Sequence, residues 1–255
     1  MDSTWAAIRR VFFDLDDTLC GYWDASKAGL RRTFELHGLD GYTPEEMVGH
    51  WANAFRDFSP TLKKTGWYQI YLKEGEPTRT EQMRLTLEAL GIDDPDHARL
   101  LSDTYAQERD RHLELFPDAT HVLGALGSRF PLGLITNGPA DIQRQEIATL
   151  GIESYFDQIY IEGEMGRGKP LADVFAMITE AAGVQPHEIV MVGNSYLHDV
   201  KPAIEAGWKG IWIRRDSDVP PSAEPGQIGP EDKPAGDPEP TLTIRQLSEL
   251  LPLFE

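Results

Sequence analysis

Cysteine is almost missing from this sequence: Cys20 is the single one in 255 residues. One thiol cannot close an internal disulfide, which excludes a disulfide scaffold and suits a reducing compartment. Positive charge is also scarce. Lys and Arg number 24 against 42 Asp and Glu, a formal charge of −18. A chain this acidic is repelled by phosphate polymers and anionic membrane surfaces, so neither nucleic acid nor a membrane is expected as a partner, though a local basic pocket stays open. Apolar runs of membrane-spanning length are missing. The start, Met1-Asp2-Ser3-Thr4-Trp5, lacks the basic and apolar regions of a signal peptide. These absences predict a cytoplasmic protein. What is present is ordinary for a globular chain: 40% hydrophobic and 26% charged residues, in a length that suits one large domain or a core with a smaller companion.

Val11-Phe12-Phe13 is a short apolar run ending at Asp14-Leu15-Asp16-Asp17. Similar runs follow at Leu132-Gly133-Leu134-Ile135, Ile189-Val190-Met191-Val192 and Gly210-Ile211-Trp212-Ile213, with a weaker one at Gln158-Ile159-Tyr160-Ile161. Continuous apolar runs read as strands covered on both faces, as in a parallel sheet. Helix-like stretches at 119–126, 142–150, 174–182 and 200–206 lie between them. Strands alternating with helices predict a doubly wound, Rossmann-like α/β fold. Residues 19–116 break the alternation with helical spacing and no convincing strand, and read as an all-helical insertion after the first strand. Residues 216–240 hold seven prolines and seven acids against the lone base Lys233, the composition of an extended or mobile loop. Residues 243–251 read as a closing helix.

The chemistry gathers at strand ends, where ligand sites of open α/β sheets lie. The first strand delivers Asp14, Asp16 and Thr18. Residues two apart in extended backbone point the same way, so both carboxylates can face one cavity. Two carboxylates held together repel unless one keeps a proton or a cation sits between them, and a hard, oxygen-loving ion such as Mg²⁺ fits that need. A second strand ends at Thr136-Asn137-Gly138, a third at Gly193-Asn194-Ser195 with Asp199 beyond, and Gly168-Lys169-Pro170 adds a cation between them. Collected at one sheet edge, these parts would make an anion pocket with a metal, a nucleophile and a fixed positive charge.

Asp14-Leu15-Asp16-Asp17-Thr18, Thr136-Asn137-Gly138, Lys169-Pro170 and Gly193-Asn194-Ser195…Asp199, in this order, resemble the haloacid dehalogenase-like (HAD) phosphohydrolase superfamily nearly end to end. The resemblance implies a HAD core over residues 1–18 and 117–255 and a helical C1-type cap over 19–116. It implies a Mg²⁺-dependent phosphatase acting on a small phosphorylated metabolite through an aspartyl-phosphate. Asp14 would be the nucleophile, Asp16 the acid and then the base, and Thr136 and Lys169 further catalytic groups. Leu15, Thr136, Asn137 and Lys169 would bind phosphate. Asp14, the backbone carbonyl of Asp16, Asn194 and Asp199 would hold the metal. Asp16 favours an oxygen leaving group over a halide, which leaves without protonation. A phosphomutase, a dehalogenase and a non-catalytic binding protein of the same fold are the alternatives. One departure stands out: Asn194 occupies a place where the family commonly has Asp, so weaker Mg²⁺ binding than in an Asn194→Asp variant is expected.

Several features read otherwise. Gly163 to Lys169 matches a nucleotide-binding P-loop until Pro170, which offers no hydroxyl to a metal. Gly193-Asn194-Ser195-Tyr196-Leu197 lacks the second glycine of a nucleophile elbow, so Ser195 reads as structural. Cys20 reads as a small packed residue and His198 as a surface residue. Trp51, Phe55, Phe58, Trp67 and Tyr71, with Arg56, Lys63 and Lys64 among them, could shape a substrate pocket in the insertion; the i, i+4, i+7 spacing favours the core of the insertion for the aromatics, and solvated surface is favoured for the three bases.

Overall fold

The computed structural model describes residues 4–223, 227, 229–230 and 232–254. The start of the chain at 1–3, and residues 224–226, 228 and 231 of the proline-rich segment, lie outside the described residues.

The first strand, β1 (Arg10–Phe13), is followed by five helices: α1 (Tyr22–His37), α2 (Pro44–Phe58), α3 (Trp67–Tyr71), α4 (Gly75–Glu88) and α5 (Pro95–His112). The alternation then sets in with α6 (Ala119–Gly127), β2 (Leu132–Thr136), α7 (Ala140–Leu150), β3 (Gln158–Ile161), α8 (Glu162–Met165), α9 (Ala172–Ala182), β4 (Ile189–Gly193), α10 (Lys201–Glu205) and β5 (Lys209–Ile213). Last comes β6 (Leu242–Ile244), then a 3₁₀ helix over Leu247–Leu253. The expected closing helix over 243–251 is thereby corrected. Leu242 and Ile244 extend the sheet beside Ile211 and Ile213, because the edge of β5 offers free backbone groups that a strand satisfies and a helix does not.

The six strands form one parallel sheet in the order β3-β2-β1-β4-β5-β6. Both faces are covered, as the continuous apolar runs predict. Val11, Phe13, Leu132, Leu134, Val190 and Val192 point into one core with α6 and the C-terminal 3₁₀ helix. Phe12, Ile135 and Met191 point into the other, where Phe12 stacks on Trp208 at 5.4 Å and α9 covers them with Phe175 and Ile178. The chain is therefore a doubly wound α/β protein. Its strand order reverses between β1 and β4, which opens a crevice beyond their carboxyl ends.

The helices α1, α2, α4 and α5 pack on a separate core of Leu30, Phe34, Met47, Trp51, Met83, Leu87, Leu101 and Tyr105. Local chemistry starts them: Thr43 and Glu46 form a reciprocal capping box with Pro44 in the first turn of α2, and Asp94 accepts from His97 N at 2.9 Å to begin α5. The insert leaves and rejoins the core through paired backbone. Gly21 N donates to Glu114 O at 3.1 Å and Phe116 N to Leu19 O at 2.9 Å.

Candidate active site

The loop after β1 is held tightly. Asp14 N donates to Val192 O at 2.9 Å, tying the strand end to β4, and Leu19 N reaches back to Leu15 O at 2.8 Å. Leu15 sends its side chain into the core, which leaves only its backbone for a ligand. Asp17 has a φ of 56°, a left-handed backbone that Asp tolerates better than most residues, and Trp23 N donates to its carboxylate at 3.1 Å. The Thr18 hydroxyl lies 3.0 Å from Asp14 Oδ2 and 3.4 Å from Asn194 Oδ1 and ties the ends of β1 and β4 together.

Lys169 is the electrostatic centre. Its side chain is only 2% exposed, and Nζ donates to Asp14 Oδ1 and to Asp199 Oδ1, each at 2.6 Å. Burial alone would push this lysine down, but the two carboxylates hold it at about 12. Asp199 spends its other oxygen on Ser195 N at 2.9 Å. It can lie that close because position 193 is glycine; a Cβ there would overlap the Asp199 carboxylate. The Asn137 side chain clamps the lysine backbone from both sides, donating to Lys169 O at 2.7 Å and accepting from Lys169 N at 2.9 Å.

Thr136 faces the same space and donates to Gln143 Oε1 at 2.5 Å. Gln143 in turn donates to Asp16 Oδ2 at 3.2 Å and to Glu146 Oε2 at 2.8 Å. Sequence reasoning missed this glutamine. Its position on the first turns of α7 follows Thr136 closely, but no spacing rule marks it. It joins two motif residues by one amide and leads outward to Arg109 of the insert, 3.6 Å from Glu146. Asp218 was missed as well. It belongs to the proline-rich segment, is only 9% exposed, and accepts from Asn194 Nδ2 at 3.0 Å. The described part of that segment is irregular, as its composition predicts, yet it packs: Tyr196 Oη donates to Pro238 O at 2.5 Å and Lys201 pairs with Asp237 at 3.0 Å.

Asp14, Asp16, Thr136, Asn137, Lys169, Asn194 and Asp199 line one cavity of about 600 Å³. The excess of carboxylate there is visible in the acids themselves. Burial and the charge of Asp14 push Asp16 up to about 7. Burial and Asp218 push Asp17 up to about 9. Burial pushes Asp199 up to about 7 against the opposing pull of Lys169. Among the described residues no three Asp, Glu, His or Cys side chains converge as a ready metal cluster. The Asp14 carboxylate and the neutral amide oxygen of Asn194 line the same cavity, and oxygen donors of that kind suit a small hard cation that keeps several waters and takes one or two carboxylates; Mg²⁺ has that habit.

The other sequence expectations are met in detail or modified. Cys20 is buried. His198 is exposed, with Nδ1 3.0 Å from Ser195 Oγ, and Ser195 accepts from His198 N as a helix cap. Trp51 and Phe55 pack in the insert core and also line the cavity, so core and pocket both have a share in them; Phe58 and Tyr71 line the cavity outside that core, and the half-buried Trp67 meets Phe58 edge-on and belongs to neither. Arg56 and Lys64 are exposed. Lys63 is exposed too, and its Nζ pairs with the buried Glu162 of α8 at 3.1 Å.

Comparison with known proteins agrees with this geometry. The family model described as haloacid dehalogenase-like hydrolase matches residues 11–213. The chain is 31% identical over 227 residues to the phosphoserine phosphatase of Thermus thermophilus, covering 82% of this chain and 89% of that protein. Among solved structures it resembles the HAD-hydrolase YfnB of Bacillus subtilis, solved bound to magnesium, with a TM-score of 0.72, 20% identity, and 97% and 99% of the two chains covered. It also resembles a 2-haloacid dehalogenase from Pseudomonas syringae, with a TM-score of 0.63, 26% identity, and 96% and 97% covered. The protein belongs to the haloacid dehalogenase-like hydrolases.

Proposed function

We propose that this protein is a Mg²⁺-dependent phosphatase that hydrolyses a small phosphorylated metabolite through an aspartyl-phosphate on Asp14, with residues 19–116 as its cap. The observation that carries the reading is the buried Lys169 bridging Asp14 and Asp199, with Asp16 two residues further along the same loop. A dehalogenase would need the first carboxylate but no acid at Asp16; here Asp16 is held toward the cavity by Gln143.

In the first half-reaction an Asp14 carboxylate oxygen attacks phosphorus, an O–P bond forms, and the ester P–O bond breaks. Asp16 gives its proton to the departing oxygen. In the second, water attacks phosphorus, Asp16 takes the proton of that water, and the Asp14 carboxylate is released with inorganic phosphate. Lys169 offsets the charge of nucleophile and phosphoryl group together, and Asp199 and Asn137 hold it there. Thr136 and backbone N–H groups near Leu15 and Asn137 would hold phosphoryl oxygens. Asp14, the Asp16 carbonyl and Asn194 would hold Mg²⁺; Asp199, expected from the sequence as a further ligand, has its oxygens on Lys169 Nζ and Ser195 N and would position the lysine instead. The ion supplies charge stabilisation to the phosphoryl oxygens when bound.

The test is Asp14→Asn. It should abolish hydrolysis of p-nitrophenyl phosphate in the presence of Mg²⁺ while the thermal unfolding curve shows an intact fold. Turnover retained in that variant overturns the mechanism.

A further inference from the structure

The cavity that holds Asp14 and Lys169 runs on beneath the helical insert, and its walls differ in charge. The carboxylates that line it come from the core side; on the insert side the charged lining residues are Arg79 and Arg109, among the described residues. These two arginines are not equivalent. Arg109 is 4% exposed and has Asp110 at 2.8 Å and Glu146 at 3.6 Å. Arg79 has no carboxylate within ion-pair distance among the described residues. Its Nε donates to the carbonyl and the hydroxyl oxygen of Ser102, each at 3.1 Å. That anchor fixes one edge of the guanidinium and leaves its terminal amino groups for another acceptor. Burial and the neighbouring Arg109 hold Arg79 below the usual arginine range, as expected for a cation short of negative charge.

Gln82 is the second observation. It lines the same wall, is 8% exposed, and its buried Nε2 has no hydrogen-bond partner among the described residues. A buried amide donor without a partner costs free energy until an acceptor reaches it. Gly75, Thr78, Arg79 and Gln82 stand at i, i+3, i+4 and i+7 of α4, so they present one face of one helix to the cavity. Nothing in the phosphoryl chemistry uses that face.

We propose that this face of α4 is a specificity subsite that takes a carboxylate carried by the phosphorylated substrate. The inference rests on the phosphatase reading and adds the substrate class: a phosphate ester of a hydroxy acid. One cation and one neutral amide match a single negative charge. The planar fork of an arginine matches the two oxygens of a carboxylate, and the Gln82 amide suits a third contact. A second phosphate group in the same place would bring more negative charge than Arg79 offsets. Trp51, Phe55 and Tyr71 line the same cavity and offer apolar surface to the carbon skeleton of such an ester.

The experiment compares kcat/KM for three matched esters: 3-phosphoglycerate, glycerol 3-phosphate and glycerol 1,3-bisphosphate. The wild-type protein should favour the acid over glycerol 3-phosphate, which lacks the carboxylate, by at least about tenfold, and over the bisphosphate. Arg79→Gln should reduce the acid preference by about 10- to 100-fold, the worth of a charged hydrogen bond, chiefly through KM, and Arg79→Lys should restore part of it. Equal use of the three esters, a preference for the bisphosphate, or an acid preference that survives Arg79→Gln overturns the subsite. If no ester, p-nitrophenyl phosphate included, is hydrolysed, the phosphatase reading fails by itself. Calorimetric titration of 3-phosphoglycerate against glycerol 3-phosphate then decides the subsite: selective binding lost in Arg79→Gln supports it, and equal affinities overturn it.

Discussion

The two walls of the cavity are built by different means. On the core side, three of the groups stand at the ends of strands covered on both faces, and Lys169 and Asp199 come from the connections around them. Asp14 follows β1, Thr136 ends β2 and Asn194 follows β4, and the parallel register carries all three to one edge. Charge is concentrated there, and side chains are locked by partners on several sides. On the insert side, the wall is the inner surface of helices that also have a core of their own to fill. Trp51 serves both purposes at once. The core wall can therefore vary little without losing chemistry, whereas the insert wall can exchange side chains and keep its fold.

This contrast can be tested by breaking one wall and then the other. The largest effect is expected from Lys169→Met. It leaves Asp14 and Asp199 buried without their shared cation, which should cost about 3–5 kcal/mol of unfolding free energy along with turnover. Urea denaturation measures the loss, and a shift under 1 kcal/mol would show that the core wall is not held by that triad. Asn194→Asp comes next. It converts an amide donating to Asp218 at 3.0 Å into a carboxylate facing a carboxylate, and should cost about 2 kcal/mol in Mg²⁺-free buffer. Adding Asp218→Asn should restore most of the loss, and Mg²⁺ should raise the melting temperature of the single variant more than that of the parent. An unchanged melting curve for Asn194→Asp without Mg²⁺ would remove Asp218 from the account. The smallest effect belongs to the other wall. Arg79→Gln orphans no carboxylate and gives up only its contacts to Ser102, so about 1 kcal/mol is expected in the same denaturation assay. A loss as large as that of Lys169→Met would mean that the insert wall is as rigidly determined as the core.

The same contrast explains what could be read from the amino-acid sequence. Asp14, Asp16, Thr136, Lys169, Asn194 and Asp199 were legible because apolar runs announce buried strands and ligands gather where those strands end. The insertion over 19–116 was legible as helical, but the sequence could not decide which of its aromatics face a core and which a pocket. Periodicity tells which face of a helix is apolar, and an apolar face looks the same over a core and over a cavity. Gln143 and Glu146 were invisible because what makes them matter lies far off in the chain: Asp16 for Gln143 and Arg109 for Glu146. Asp218 was hidden by its surroundings: a segment rich in proline and acid predicts loop, and nothing in such a composition says that one of its acids is drawn inward by Asn194. The strand β6 was misread as helix because Leu242 to Ile244 is too short for either period to declare itself.

The paired backbone at the foot of the insert reaches further than its few hydrogen bonds suggest. Because Gly21 meets Glu114 and Phe116 meets Leu19, the excursion between them begins and ends at the same place. The sheet thus meets a closed loop whose size it hardly registers, since the entropy of closing a loop grows only with the logarithm of its length. Helices could be lengthened, traded or re-faced beyond that junction without shifting the register of Val11 against Leu132 or Val190. In such an arrangement two inheritances run separately: the edge that gathers Asp14, Thr136 and Asn194 is written into the sheet, and the inner face of the helices into a module that the sheet merely carries.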